Sequence, residues 1–207
     1  MISNKTRVAA AALSLSAAAG TAWIASEGDG PKSISKTGEV LLHPYVPTQG
    51  DVPTIGHGST RYEDGRRVTL TDPPITRQRA VELALGELDR TYAKCVRASL
   101  GQTMVNQTEF DKAADFAGQY GCGAWRGSSM LAKTRVGDYP GACRAYLGYK
   151  FMTSVWREGS GWVAYEWDKA GKPTRWRFDC STPGNRICGG VWTRQLGRHN
   201  ACMESQP

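Results

Sequence analysis

The sequence predicts an α+β protein in which a small β-containing lobe is followed by a mostly helical one. Two patterns carry this expectation. Residues 40–71 are rich in Gly, Pro, Thr and β-branched residues and are broken by turn signals. From Asp72 onward, apolar residues recur at spacings of three and four, the period of a helix buried along one side. A third feature precedes both: an uncharged stretch over residues 8–25, headed by Lys5 and Arg7.

That stretch reads as a targeting segment, residues 1–26, ahead of one domain over residues 27–207. A short basic region, an apolar run and the small residues Ala17-Ala18-Ala19 have the layout of a secretory signal. As one helix, residues 8–25 would reach about 27 Å, close to the thickness of a bilayer core. Its strongly apolar residues are few: Val8, Leu13, Leu15, Trp23 and Ile24 among Ala, Ser, Gly and Thr. Three alternatives stay open: a cleaved signal, a weak anchor that can leave the membrane again, and a soluble cytoplasmic Ala-rich helix. The first two imply export.

The elements follow in order. Residues 28–38 are rich in Gly, Ser and Lys and read as a loop. Residues 52–58 suggest a strand entering a tight turn, and Asp64-Gly65 marks a hairpin between two short runs. Thr76 is the expected N-cap of a helix carrying Val81, Leu85, Leu88, Tyr92 and Val96. Further helices are expected over residues 109–120, 128–135, 140–149 and 191–202, with Pro140 tolerated in a first turn. Residues 156–190 are rich in Trp, Gly and Arg and show no clean period.

The six cysteines, in an exported chain, favour three disulfides. Cys180 and Cys188 flank the turn sequence Ser181-Thr182-Pro183-Gly184-Asn185, which makes them the firmest pair. Cys95–Cys122 and Cys143–Cys202 complete the expected set. Net charge is +7, with Lys and Arg spread through the chain rather than gathered in one tract. Arg, Trp and Tyr interleave near Trp156, Trp162, Trp167 and Trp176 in a way that suits single-stranded nucleic acid. Export and disulfides argue instead for an anionic cell envelope, with the aromatics on sugar faces or in the core.

Three constellations could carry chemistry. Glu27, where the apolar stretch ends, and Asp51, beside Thr54 on a Gly-rich turn, would suit an inverting glycosidase, whose two carboxyls flank a water. Cys122 with His57 or His199 would suit a thiol nucleophile, although a half-cystine is the simpler role. His43, His57 and His199 without an HExxH motif make a zinc site a poor reading.

The run over residues 45–60, with Thr54-Ile55-Gly56-His57-Gly58 at its centre, resembles the Thr-Ile-Gly-x-Gly turn of phage-type lysozymes, the endolysins of glycoside hydrolase family 24. The stretch running into Ser26-Glu27-Gly28 is similar to their signal-anchor-release subgroup. Further echoes come in order: Ile75-Thr76-Arg77, Glu109-Phe110-Asp111, Ser128-Ser129-Met130-Leu131, Gly137-Asp138-Tyr139-Pro140-Gly141-Ala142-Cys143 and Gly190-Val191-Trp192-Thr193-Arg194-Gln195. The resemblance implies a lysozyme-like fold and cleavage of the β-1,4 bond between N-acetylmuramic acid and N-acetylglucosamine, without metal or organic cofactor. It implies Glu27 as the acid, Thr54 opposite it, and His57 as a support for the turn.

The chain departs from that pattern. The family's Asp stands about six residues before its Thr, where this chain has Thr48; Asp51 lies three before. Either Asp51 replaces the base, or the base is missing and a single-acid lytic transglycosylase results. Glu39 lies nearer Thr54 than Glu27 does and is the alternative acid, and Gln119 stands where the family has Asn. The expected partners are peptidoglycan glycan strands and, before release, the inner membrane; no nucleic acid is expected and the chain is taken as a monomer in the periplasm. A rival of another class is a disulfide-stabilised envelope-binding protein that has lost its acid chemistry.

Overall fold

The computed structural model describes residues 5–47, 50–156 and 159–207. They form two compact units, Met1–Gly127 and Ser128–Pro207.

In the first unit residues 8–25 do not form one helix. They divide into β1 (Val8–Ala9), a 3-10 turn (Ala10–Ala12) and α1 (Ala17–Glu27). No helix among the described residues is long and apolar enough to cross a membrane. Strand β1 pairs antiparallel with β5 (Met104–Val105), and Arg7 meets Glu109 at 2.7 Å. Ser16 caps α1 by accepting from the Ala19 N–H at 3.0 Å, and its hydroxyl donates to Asp111 at 2.6 Å. The segment is thus tied at several points to the body of the unit.

Residues 28–38 are not simply a loop. Strand β2 (Lys32–Ile34) pairs with β3 (Val40–Leu42), which pairs in turn with β4 (Ile75–Thr76). The Ser35 hydroxyl accepts from the N–H groups of Thr37 and Glu39, holding the turn that composition alone reads as slack. Beyond β3 the expected strands reduce to single bridges, Tyr45 with Thr54, Ile55 with Ser59 and Arg61 with Arg67. Gly65 turns the last of these at φ +85°.

Thr76 caps α2 (Arg77–Glu87), accepting from Arg79 N–H at 3.2 Å. A π-helical turn (Leu88–Ala93) separates α2 from α3 (Lys94–Leu100) and rotates the buried face. Ala80, Leu83 and Ala84 are buried before it and Leu88 at its start, whereas Val81 and Leu85 are only half-buried. Helix α4 (Gln107–Arg126) starts earlier than its apolar pattern suggests, because Asn106 caps it reciprocally with Glu109. It kinks at Gly121, and Cys95–Cys122 joins it to α3. Ala113, Ala114, Phe116 and Ala117 are buried along it.

The second unit opens with α5 (Ser129–Arg135), capped by Ser128, and α6 (Tyr139–Ala145), capped by Asp138 with Pro140 in its first turn. The helix expected over residues 140–149 ends early, in a 3-10 turn (Tyr146–Gly148). Residues 156–190, read as aperiodic, contribute two strands of a sheet. Its strands are β6 (Phe151–Ser154), β7 (Val163–Trp167) and β8 (Pro173–Asp179), in the order β6-β8-β7. Register shifts around Glu166 break the alternation that would have shown β7 in the sequence. Trp162, Phe178 and the Cys180–Cys188 disulfide form a core with Met152 and Trp176, closed by Val191 and Trp192 of α7 (Gly189–Glu204). Cys143–Cys202 links α6 to α7. All three expected disulfides are present.

Candidate functional site

The site is built on the end of α1. Trp23 is buried against Ala84 and Leu88, and the tip of its ring lies where a side chain on Gly118 would begin. One turn later comes Glu27, the last residue of the helix, half-buried. Gly28 then stops the helix at φ +68°, its N–H still donating to Ile24 C=O at 3.1 Å.

A second segment meets that helix end. Tyr45 and Thr54 exchange both backbone hydrogen bonds at 2.8 Å, and Thr54 Oγ1 donates to Val52 C=O at 3.0 Å. Ile55 and Ser59 pair across the turn Gly56-His57-Gly58. Both glycines have positive φ, and Gly56 passes so close to Ala80 that a Cβ would lie 2.6 Å from it. Gly58 faces Glu27: a Cβ there would stand 3.0 Å from Glu27 Oε2. The turn is therefore shaped to leave room for this carboxyl.

His57 is buried, and its Nδ1 lies 2.6 Å from the Gly28 carbonyl oxygen. Tyr45 packs its ring against the Cα of Gly30. Burial pushes the Tyr45 phenol up, and the negative charge of Glu27 adds to the shift. Behind the turn, a cavity of about 30 Å3 is lined by Trp23, His57, Ser59, Glu87 and Tyr92, among others. Burial raises the Glu87 carboxyl above the usual carboxylate range, partly offset by the Ser59 hydroxyl and the Thr60 N–H. Tyr92 is raised by burial and then by the charges of Glu87 and Glu27.

The residues singled out from sequence fare unequally. Glu27, Thr54 and His57 come together around this turn. Asp51 is exposed on the same loop. Glu39 is exposed in the β2–β3 turn, with its N–H on Ser35. The family's Asp position, Thr48, falls outside the described residues. Cys122 is half of a disulfide and so is no nucleophile. Among the described residues no three His, Cys, Asp or Glu side chains gather as a metal site would need. Of the tryptophans, Trp162 and Trp176 belong to the second unit's core, while Trp156 and Trp167 are exposed.

Tyr45, Glu87 and Tyr92 were not identified as functional from the sequence. Their character comes from burial and from charges distant in the chain, which no local spacing encodes. A wider cavity of about 880 Å3 runs beside α1, lined by Leu15, Gly20, Ile24, Val81 and Leu85. It is apolar and holds no pair of groups suited to acid–base work.

A model of the phage lysozyme family matches residues 37–161. The endolysin of Salmonella phage P22 is 29% identical over 109 residues, covering 53% of this chain and 72% of that one. Among solved structures, an endolysin from Escherichia coli O157:H7 phage FAHEc1 superposes with a TM-score of 0.60 at 21% identity, over 95% of this chain and 98% of its own. The muramidase domain of SpmX from Asticaccaulis excentricus gives 0.57 at 15% identity, over 91% and 97% respectively. These structures share the lysozyme-like α+β fold. The family match spans more than half of the sequence, and the chain belongs to the phage lysozyme family.

Proposed function

We propose that this peptidoglycan-hydrolysing endolysin cleaves the β-1,4 bond between N-acetylmuramic acid and N-acetylglucosamine, with Glu27 as the acid that protonates the leaving oxygen. The observation that carries the assignment is the fit between Glu27 Oε2 and Gly58, which sets the carboxyl against the Thr54–Gly58 turn. Thr54 orients the water or sugar opposite the acid. Asp51, exposed on the same loop, accepts the proton of the attacking water, as an inverting mechanism requires. No metal or organic cofactor takes part.

Residues 1–26 act, in this reading, as a signal-anchor that exports the domain to the periplasm. Support comes from the uncharged stretch preceded by Lys5 and Arg7, and from the thin apolar content that weakens its hold on lipid. The same residues make β1 and α1 in the folded unit, so insertion in the membrane and assembly of the Glu27 site exclude each other. Release then switches the enzyme on. An anchored form with full activity would contradict this.

The central test replaces each acid in turn and follows clearing of permeabilised Gram-negative cells. Glu27→Gln should lower the rate by about 10^2- to 10^4-fold, the usual worth of a positioned acid. Glu39→Gln should leave it unchanged. Full activity of the Glu27 variant would overturn the assignment. Product ends then distinguish the chemistries: a hydrolase releases reducing muramic acid, whereas a lytic transglycosylase leaves a 1,6-anhydro end and tolerates Asp51→Asn.

A further inference from the structure

We propose that His57 is a positioning residue for the Glu27 carboxyl, acting through the carbonyl of Gly28; the idea rests on Glu27 being the acid. Gly28 is the pivot at which the chain leaves α1. Its φ of +68° and ψ of −174° lie outside the helix, so nothing in α1 itself fixes the peptide that follows Gly28. The N–H side of Gly28 is held by Ile24 C=O at 3.1 Å, and the C=O side by His57 Nδ1 at 2.6 Å. With both sides held, the end of α1 and the Gly56-His57-Gly58 turn have one relative placement, and it sets the Glu27 carboxyl against Gly58, the residue next to His57.

The geometry fixes the chemistry of the imidazole. A carbonyl oxygen only accepts, so Nδ1 carries a proton and donates it. Nε2 is buried and has no hydrogen-bond partner among the described residues, and His57 lines the small cavity that Glu87 and Ser59 also line. That cavity has room for a single water, and its polar lining suits one. His57 cannot serve as the proton donor to substrate: it is only 3% exposed and faces backward, toward Gly28 and the core. Its effect must pass through the backbone to Glu27. A displacement of about 1 Å at a reacting group costs on the order of 100-fold in rate, so a single misaligned peptide is enough.

Three substitutions separate this role from simple packing. Asparagine can offer an N–H near the place of Nδ1, glutamine reaches instead toward the place of Nε2, and leucine offers neither. His57→Leu and His57→Gln should lower kcat by about 10- to 100-fold with KM within about twofold, while His57→Asn stays within about threefold of the parent. The 13C carbonyl resonance of Gly28 should move upfield in the Leu and Gln variants and hold in the Asn variant. A Leu variant with parental kcat overturns the proposal. So does a series in which Asn, Gln and Leu lose kcat equally and in step with Tm, since that is the mark of a packing role. If the Leu variant does not fold, the Asn–Gln contrast decides alone. Glu27→Gln is assayed beside them: residual full activity there would sink the acid assignment, whereas an inactive Glu27 variant with an active His57→Leu sinks only the positioning role.

Discussion

Gly118→Ala tests whether α1, and with it Glu27, is seated as described. The new methyl would lie 2.4 Å from Trp23 Cη2 and 2.5 Å from Cζ3, with Leu88 Cδ1 at 3.2 Å. Carbon atoms rest at about 3.5–4.0 Å, so the indole must retreat by about 1 Å. Overpacking of this kind costs about 1–3 kcal/mol. Against it stands the helical gain of Ala over Gly, about 1 kcal/mol. Gly123→Ala, later in α4 and with open space around its Cβ, enjoys the same gain without the clash. The contrast between the two variants therefore removes the propensity effect and leaves the clash, about 2 kcal/mol. For a chain of this length, that is about 4–8 °C in Tm. Calorimetry on both proteins reads it directly, with Gly118→Ala below the parent and Gly123→Ala above it. Because Trp23 lies one turn before Glu27, kcat of Gly118→Ala should also fall, by up to about 100-fold. Equal melting temperatures for the two variants would mean that the indole does not occupy this seat, and the account of α1 docking would fail.

Other outcomes follow from the same reasoning. Asp72 accepts from the Thr69 N–H first of all, then from the Thr69 hydroxyl, Arg66 and Tyr62, and is held at about 2. A depressed carboxyl contributes stability above its unfolded value and loses it as pH falls through the folded one. Parental Tm should therefore drop between about pH 4 and pH 2, and Asp72→Asn should flatten that slope. Glu87 has the opposite sign: its raised value means that its ionised form opposes folding as pH rises through the folded value. Glu87→Gln should thus leave Tm at pH 7 equal or higher than the parent and reduce its decline with pH, as thermal melts across pH would show. Loop-closure entropy ranks two of the disulfides. Cys143–Cys202, with a separation of 59, is worth about 4 kcal/mol, against about 2.6 kcal/mol for Cys180–Cys188 at 8. Denaturant unfolding of the two double-serine variants should preserve that order.

What could be read from the sequence was local. The hydroxyls of Thr76 and Ser128 announce helix starts because a cap acts within three residues of itself. Cys180 and Cys188 announce their pairing because the turn between them is short. The second unit's sheet stayed hidden for the converse reason. The residues of its core, Met152, Trp162, Trp176 and Phe178, are gathered from separate stretches, and the shifts near Glu166 destroy the alternation in β7. The β2–β3 hairpin was hidden by composition, since Gly, Ser and Lys describe its turn and its exposed strands equally well.

The site shows the same division at closer range. Glu27 is visible as a candidate because it is the acid where the apolar stretch ends, and Thr54 because its turn is a contiguous motif. Tyr45 and Glu87 gain their properties only once the Gly56-His57-Gly58 turn is pressed between α1 and α2. The glycines of that turn and of α4 are the link between the two scales. Gly56 against Ala80, Gly58 against Glu27 and Gly118 against Trp23 are each absences of a side chain that another element fills. In the sequence such a glycine signals a weak helix or a loose turn; in the folded unit it is the contact itself. Helix α1, in which Ile24 packs beside Trp23 in the same cluster, is poor in strongly apolar residues. It keeps Glu27 in place through Trp23 in the Gly118 groove, Ser16 on Asp111 and Gly28 on His57, and these are the contacts whose loss should cost activity before it costs the fold.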